Sequence, residues 1–292
     1  VTARTVPTAP LRSEAEALAA SLPALMAAAD ALAATITPGV HGRRRAGMGD
    51  TFWEYRAAEA WDDAARIDWR RSGRGDTAFV QDREWQLAQS VSLWVDDSAA
   101  MRYTSGAQSK ADVARKLALA LAILLERGGE RVGYLRPDLP PRRGRAQLER
   151  LASALLHDGT GDYGTAPTAQ PPQRGQSVLF SDFFGDLAPL ESYLAQASAS
   201  GGTGLLVQVL DPAEEAFPFQ GRTLFQSMVG ALRHESLKAD SLRAQYQTRL
   251  AARKDALFTI ASRAGWRFHT IHTDTPPTTT LMWLFGALEG AL

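Results

Sequence analysis

From residue 90 onward, five short apolar runs alternate with helical repeats, and this alternation constrains the fold more than any other feature of the chain. The runs are 91–95 (VSLWV), 131–135 (RVGYL), 177–181 (SVLFS), 204–210 (GLLVQVL) and 266–271 (WRFHTI). Between them, apolar side chains recur at helical spacing: Val113, Leu117, Leu121 and Leu124 in 109–127, Leu148, Leu151 and Leu155 in 145–157, and Leu187, Leu190 and Leu194 in 186–199. A long polar helix over 237–263 and a short closing one over 277–290 complete the series. Strands that take turns with helices pair in parallel, because a parallel neighbour needs a crossover long enough to hold a helix. The expected fold is therefore α/β, a mostly parallel sheet with helices on both faces. Ligands of such sheets lie outside the carboxyl ends of the strands, which makes the residues closing each run the first place to look for function.

Two of those ends are acidic. "VSLWVDDSAAM" (91–101) stops at Asp96 and Asp97, and "VLFSDFFGD" (178–186) stops at Asp182. A carboxylate at the end of a buried strand is costly unless it is paired or used. Asp96-x-Ser98-x-Ala100, with Asp182 on a second strand end, follows the outline of an Asp-x-Ser-x-Ser site for Mg2+, a hard cation that takes oxygen ligands and keeps several waters. Ala100 supplies no oxygen, and the 136–147 loop (RPDLPPRRGRAQ) contains no Ser or Thr to replace it. The remaining metal candidates are Asp96, Ser98 and Asp182, with Asp97 on the opposite face of the strand from Asp96. Two other readings stay open. Asp96 and Ser98 cap the turn by accepting backbone N–H groups, or Asp96 is a phosphoryl-accepting nucleophile. The latter chemistry wants Asp-x-Asp and a downstream lysine, and none of the chain's four lysines stands just before a strand-end aspartate.

The rest of the chain narrows the function classes. There is no cysteine, so disulfides, zinc ribbons, iron–sulfur clusters and thiol catalysis are excluded. The 32 basic and 32 acidic side chains cancel, which gives no reason to expect a nucleic-acid partner. Residues 41–88 hold nine Arg, nine Asp or Glu and four tryptophans (Trp53, Trp61, Trp69, Trp85) without a clean helical or strand period. The expectation there is Arg–carboxylate pairing around a small tryptophan-rich core. Residues 12–36 read as an amphipathic helix through Leu18, Leu22, Leu25 and Ala29, broken near Pro23 and ended by "TPGVHG". No Gly-Lys phosphate loop and no Gly-x-Ser-x-Gly elbow occur, and His269 and His272 fall on opposite strand faces. The longest apolar run, Leu117–Leu125, is about half of a bilayer span, so a cytoplasmic chain with no membrane span is expected.

Together these residues resemble a bacterial family, domain of unknown function 58, a von Willebrand factor A-like group usually encoded beside a MoxR-type AAA+ ATPase. The marks run from Gly42 to the C-terminus: "GRRRAGMGDTFWEYRAAEAWDDAARIDWRRSGR", "VDDSAAM", "SKADVARKLA", "ERVGYL", "LPPRRGRAQLERL", "LFSDFFGD" and "DPAEEAFPFQGRTLF". Ala60-Trp61-Asp62-Asp63 departs from the family's Gly-Asp-Asp turn. The resemblance implies three segments: an N-terminal helical one at 1–38, a signature segment at 39–88, and a von Willebrand factor A-like domain at 89–292. It implies a non-enzymatic adaptor that meets the ATPase in assembling or activating a client, with any membrane association running through partners. Asp96, Asp97, Ser98 and Asp182 would form the partner-binding face, as a degenerate metal-ion-dependent adhesion site that takes Mg2+ if it takes any cofactor. Asp68, Trp69, Arg70, Asp211 and Glu214 would be structural, a buried Asp68 pairing with an arginine of 70–74. The alternative function is a metal-dependent hydrolase using the same strand-end aspartates.

Overall fold

The computed structural model describes residues 23–36, 43–47, 51–59, 67–73, 77–87, 89–230 and 232–290. The chain divides into two compact units, Val40–Gln89 and the remainder, Val1–Gly39 with Ser90–Leu292. A first helix, α1 (23–34), belongs to the larger unit and buries Ala29, Leu32 and Ala33 in its core. Leu18, Leu22 and the "TPGVHG" stop lie outside the described residues.

The smaller unit departs from the sequence reading. Strands β1 (Arg43–Gly47), β2 (Thr51–Ala57) and β3 (Phe79–Leu87) form an antiparallel sheet in the order β1-β3-β2. No strand period was legible there, and one physical cause is a register shift between Phe52 and Glu54, which breaks the two-residue alternation. A single helical turn, α2 (Trp69–Ser72), is tied to β3 through the backbone of Asp68, whose N–H donates to the Phe79 carbonyl at 2.9 Å. The Ser72 hydroxyl accepts from the Phe79 N–H and donates to the Asp68 carbonyl, both at 2.8 Å. Asp68 is half-buried rather than buried, Arg70 is exposed, and Trp69 is 65% exposed, so Trp69 is not a core anchor. The side chains of Trp53, Trp61 and Trp85, and Asp62 and Asp63, lie outside the described residues.

The larger unit is the expected α/β fold. Its elements are β4 (Ser90–Val95), α3 (Lys110–Arg127), β5 (Arg131–Tyr134), α4 (Arg145–Leu155), β6 (Gln176–Ser181), α5 (Ala188–Ala199), β7 (Thr203–Leu210), α6 (Pro212–Ala216), the hairpin β8 (Thr223–Gln226) and β9 (Arg233–Ser236), α7 (Arg243–Arg263), β10 (Arg267–His272) and α8 (Pro277–Glu289). The main sheet runs β10-β7-β6-β4-β5, every neighbouring pair parallel. Alternate strand residues serve two cores. Val178 and Phe180 pack with α1, α3, α4 and α8, while Leu179 and Leu206 pack with α5 and α7. α6 and the hairpin were not anticipated, being too short to show a period, and the helix expected over 237–263 begins only at Arg243, after a 3-10 turn at Ala239–Leu242. His269 stacks on Trp283 at 4.1 Å between ring centroids, and His272 hydrogen-bonds Glu215 instead. Among the described residues no helix is long and apolar enough to cross a membrane.

Chain order positions the site. From β4 the chain steps to β5 on one side, then returns past β4 to place β6 on the other. The carboxyl ends of β4 and β6 thus flank the point where strand order reverses, which opens a crevice. Pairing of β4 with β5 ends at Leu93, and the Tyr134 hydroxyl takes over: it accepts from the Val95 N–H at 3.1 Å and donates to the Val95 carbonyl at 3.0 Å. Burial, against the pull of the Val95 hydrogen bond, pushes this phenol up to about 12. Tyr134→Phe is expected to cost about 1–3 kcal/mol by stranding both Val95 groups, read as a lower urea midpoint at unchanged m-value.

Candidate functional site

Strand β4 delivers Asp96 into the interior. Its N–H continues the ladder to the Phe180 carbonyl at 2.8 Å, and its carboxylate is 1% exposed at the residue level. Oδ1 accepts from the Ser98 N–H at 2.8 Å and Oδ2 from the Ser181 hydroxyl at 2.6 Å. Burial raises this carboxyl above its ordinary value, the Ser181 hydrogen bond opposes that, and the nearby Asp182 charge adds to it. Asp97 points out to solvent, and the buried Ser98 Oγ has no hydrogen-bond partner among the described residues.

The segment after α4 closes over this end. Ala99 N–H donates to the Gly161 carbonyl at 2.8 Å and Ala100 N–H to the Asp162 carbonyl at 2.9 Å. Gly164 sits so tightly on Asp96 that an added Cβ would fall inside its carboxylate. This segment separates two cavities. Asp96, Asp97 and Ser98 border a cleft of about 530 Å3 together with Arg115, Arg136 and His157. Asp182 borders the other, of about 280 Å3, with Glu214 and several aromatic rings.

Strand β6 delivers Asp182, fully buried, to a partner the sequence reading missed. Lys110, the first residue of α3, is 0% exposed, and its Nζ donates to Asp182 Oδ2 at 2.8 Å and Glu214 Oε1 at 2.7 Å. Asp182 Oδ1 accepts from the Phe184 N–H at 3.0 Å. Burial alone would push Lys110 down, but Asp182 and Glu214 outweigh it and hold the ammonium above its ordinary 10.5. Burial pushes Glu214 up, and the pull of Lys110 and the Asp211 N–H only partly offsets it.

Asp211 and Glu214, expected to be structural, build this site. They form a capping box on α6: Asp211 Oδ1 accepts from the Ala213 N–H at 2.8 Å, and Glu214 Oε2 accepts from the Asp211 N–H at 2.9 Å. That box aims Glu214 at Lys110. Asp211 also accepts from the Ser105 N–H at 2.7 Å and from the Ser105 hydroxyl. Burial works against its charge, but those Ser105 bonds and the Ala213 N–H hold the carboxyl below its ordinary value. The sequence did carry a signal for Lys110. A lysine in the first turn opposes the helix dipole, and lysine is scarce here, four against 28 arginines.

The residues present do not fit a divalent ion. Ala100 brings no oxygen, both Asp96 oxygens are engaged with Gly164 packed against them, and Asp182 is occupied by an ammonium ion. Among the described residues no group of three or more His, Asp or Glu side chains is placed to hold a metal.

Two solved structures resemble the chain. One is an aerotolerance-related membrane protein from Bacteroides fragilis NCTC 9343, with multiple mutations to serine, 14% identical over 70% of this chain and 100% of that one, at a TM-score of 0.39. The other is the conserved hypothetical protein BatB from Bacteroides thetaiotaomicron, 12% identical over 70% of this chain and 98% of that one, also at 0.39. None of the curated proteins compared with the chain matches it. The family model described as "Protein of unknown function DUF58" matches residues 54–256, which takes in β4, β6, Lys110 and the α6 capping box. The chain belongs to the DUF58 family.

Proposed function

We propose that this chain is a non-enzymatic protein-interaction module, an adaptor for a MoxR-type AAA+ ATPase in the assembly or activation of a client complex. The observation that carries the reading is the β8–β9 hairpin beside the strand ends. It and its flank expose Leu224, Met228, Val229, Leu232 and Leu237, the last at 74%, and Met228 also lines the cavity over Lys110. Large apolar side chains gathered on one small projection mark a surface that meets another protein. The strand-end acids support the same reading. Asp96, Asp182 and Asp211, like Ser98, are buried rather than on a face a partner could touch. The three acids hold fixed internal partners, which suits a rigid support beneath that surface better than a group that must exchange protons with a substrate. The choice of ATPase rests on the family resemblance, as does a cytoplasmic location. A metal-dependent hydrolase on the same aspartates is disfavoured by a site that does not fit a divalent ion, and Mg2+-dependent turnover lost in Asp96→Ala would overturn that judgement.

Co-purification with a MoxR-type ATPase, with and without nucleotide and Mg2+, tests the proposal. Capture is expected, and Leu232→Asp together with Met228→Asp should weaken it by at least roughly tenfold at an unchanged melting temperature. Failure of capture under all these conditions would overturn it.

A further inference from the structure

The cavity above Lys110 has a chemistry of its own. Tyr103, Phe184, Phe217, Phe219, Phe225 and Tyr246 wall it. Phe217 stacks on Phe225 at 5.6 Å between centroids, meets Phe219 edge-on at 5.2 Å and lies 4.9 Å from Tyr246, so the rings brace one another. On the floor, Asp182 and Glu214 flank Lys110. At the side stands Asp162: one oxygen accepts from the Val229 N–H at 3.2 Å, while Oδ2 is buried with no hydrogen-bond partner among the described residues. Of the residues lining the cavity Lys110 is the only cation, against three carboxylates. The lining tyrosines register that field. After burial, Asp211 and then Glu214 push Tyr103 up, and Glu214 leads the charges that push Tyr246 up.

We propose that this cavity is a metal-free receptor for a cationic side chain, an arginine or lysine, presented by a protein partner. It rests on the interaction reading above and reverses the polarity of a metal-dependent adhesion site. There an open divalent ion captures a partner's carboxylate; here the cation held by Asp182 is Lys110, sealed from solvent and bonded to two acids. What remains is a surplus of negative charge lining the cavity between ring faces, two of its three carboxylates being held by Lys110. A cation is attracted by both, through Coulomb's law and through the aromatic quadrupole. Asp162 Oδ2 offers the charge-assisted acceptor, and about 280 Å3 accommodates one long side chain.

The test needs no partner protein, so its outcome is separate from that of ATPase capture. Acetyl-arginine methylamide and acetyl-glutamate methylamide are titrated into the full chain, each with Mg2+ and with EDTA, and amide chemical shifts of Ser227 and Val229 are followed. The arginine probe is expected to bind equally well in both conditions and the glutamate probe to give no shift. Asp162→Asn, which keeps the Val229 bond, should weaken the arginine probe by roughly tenfold. Phe225→Leu, which keeps apolar volume and removes a ring face, should weaken it about 3- to 30-fold. Binding of the glutamate probe, a requirement for Mg2+, no binding of the arginine probe, or arginine binding indifferent to Asp162→Asn would each overturn the proposal.

Discussion

Asp182→Ala is expected to destabilise the larger unit by about 3–5 kcal/mol, because it leaves a fully buried ammonium ion facing Glu214 alone. The loss is read as a lower midpoint of urea unfolding. Lys110→Met should cost a similar amount, since it leaves Asp182 and Glu214 buried side by side. The double variant Lys110→Met/Asp182→Leu should recover part of either loss, because removing both members of a buried pair avoids the uncompensated charge. Recovery of nothing would mean that Lys110 and Asp182 are not coupled. The pair also sets an alkaline limit. Folding raises the Lys110 pKa above its ordinary 10.5, so its contribution is present in full below about pH 10.5 and is lost as pH rises through the raised value. With Asp182 gone, the burial that lowers the lysine meets less opposition, and alkaline unfolding should begin at a lower pH than in the wild type.

Gly164→Ala is the second change with a large expected effect. Its methyl group would occupy the space of the Asp96 carboxylate, which cannot yield because Ser98 and Ser181 hold both oxygens. The segment over the strand end must lift instead, at the cost of about 1–3 kcal/mol typical of overpacking. Lifting breaks the bonds from the Ala99 and Ala100 amides to the Gly161 and Asp162 carbonyls. Those two amides should exchange with solvent about 5- to 150-fold faster, while amides within β6 and β7 keep their rates. Unchanged protection at Ala99 and Ala100 would show that the segment does not close on Asp96. The same lift would merge the two cavities and expose Asp162, so this variant should also weaken the arginine probe.

The α/β core was legible because its signals are local and repeated. Val91, Leu93 and Val95 alternate, Leu117, Leu121 and Leu124 recur on one face of α3, and the structure places these elements within a residue or two of the expected bounds. Asp96 and Asp182 were found at the strand ends for the same reason. The β1-β3-β2 sheet was not found, since a bulge breaks its period, and α6 and the hairpin are too short to have one. Trp69 was misjudged as a core residue because composition reports how many aromatics a segment has and not which way each one faces.

Local periodicity set the succession of strands and helices along the chain and put two acids at strand ends, while the crevice between β4 and β6 follows from the spatial order of the sheet. What those acids do was set by long-range packing. Lys110 lies 72 residues from Asp182 and 104 from Glu214, a distance no periodicity spans, and it is folding that carries the ammonium onto an acid expected to bind a metal. The partition of Asp96 from Asp182 likewise depends on Gly164, whose missing side chain has meaning only once the carboxylate beneath it is known. Local pattern fixes which face of an element is buried. Which charges then meet in that interior is settled by long-range packing, where an unpaired one is too costly to survive.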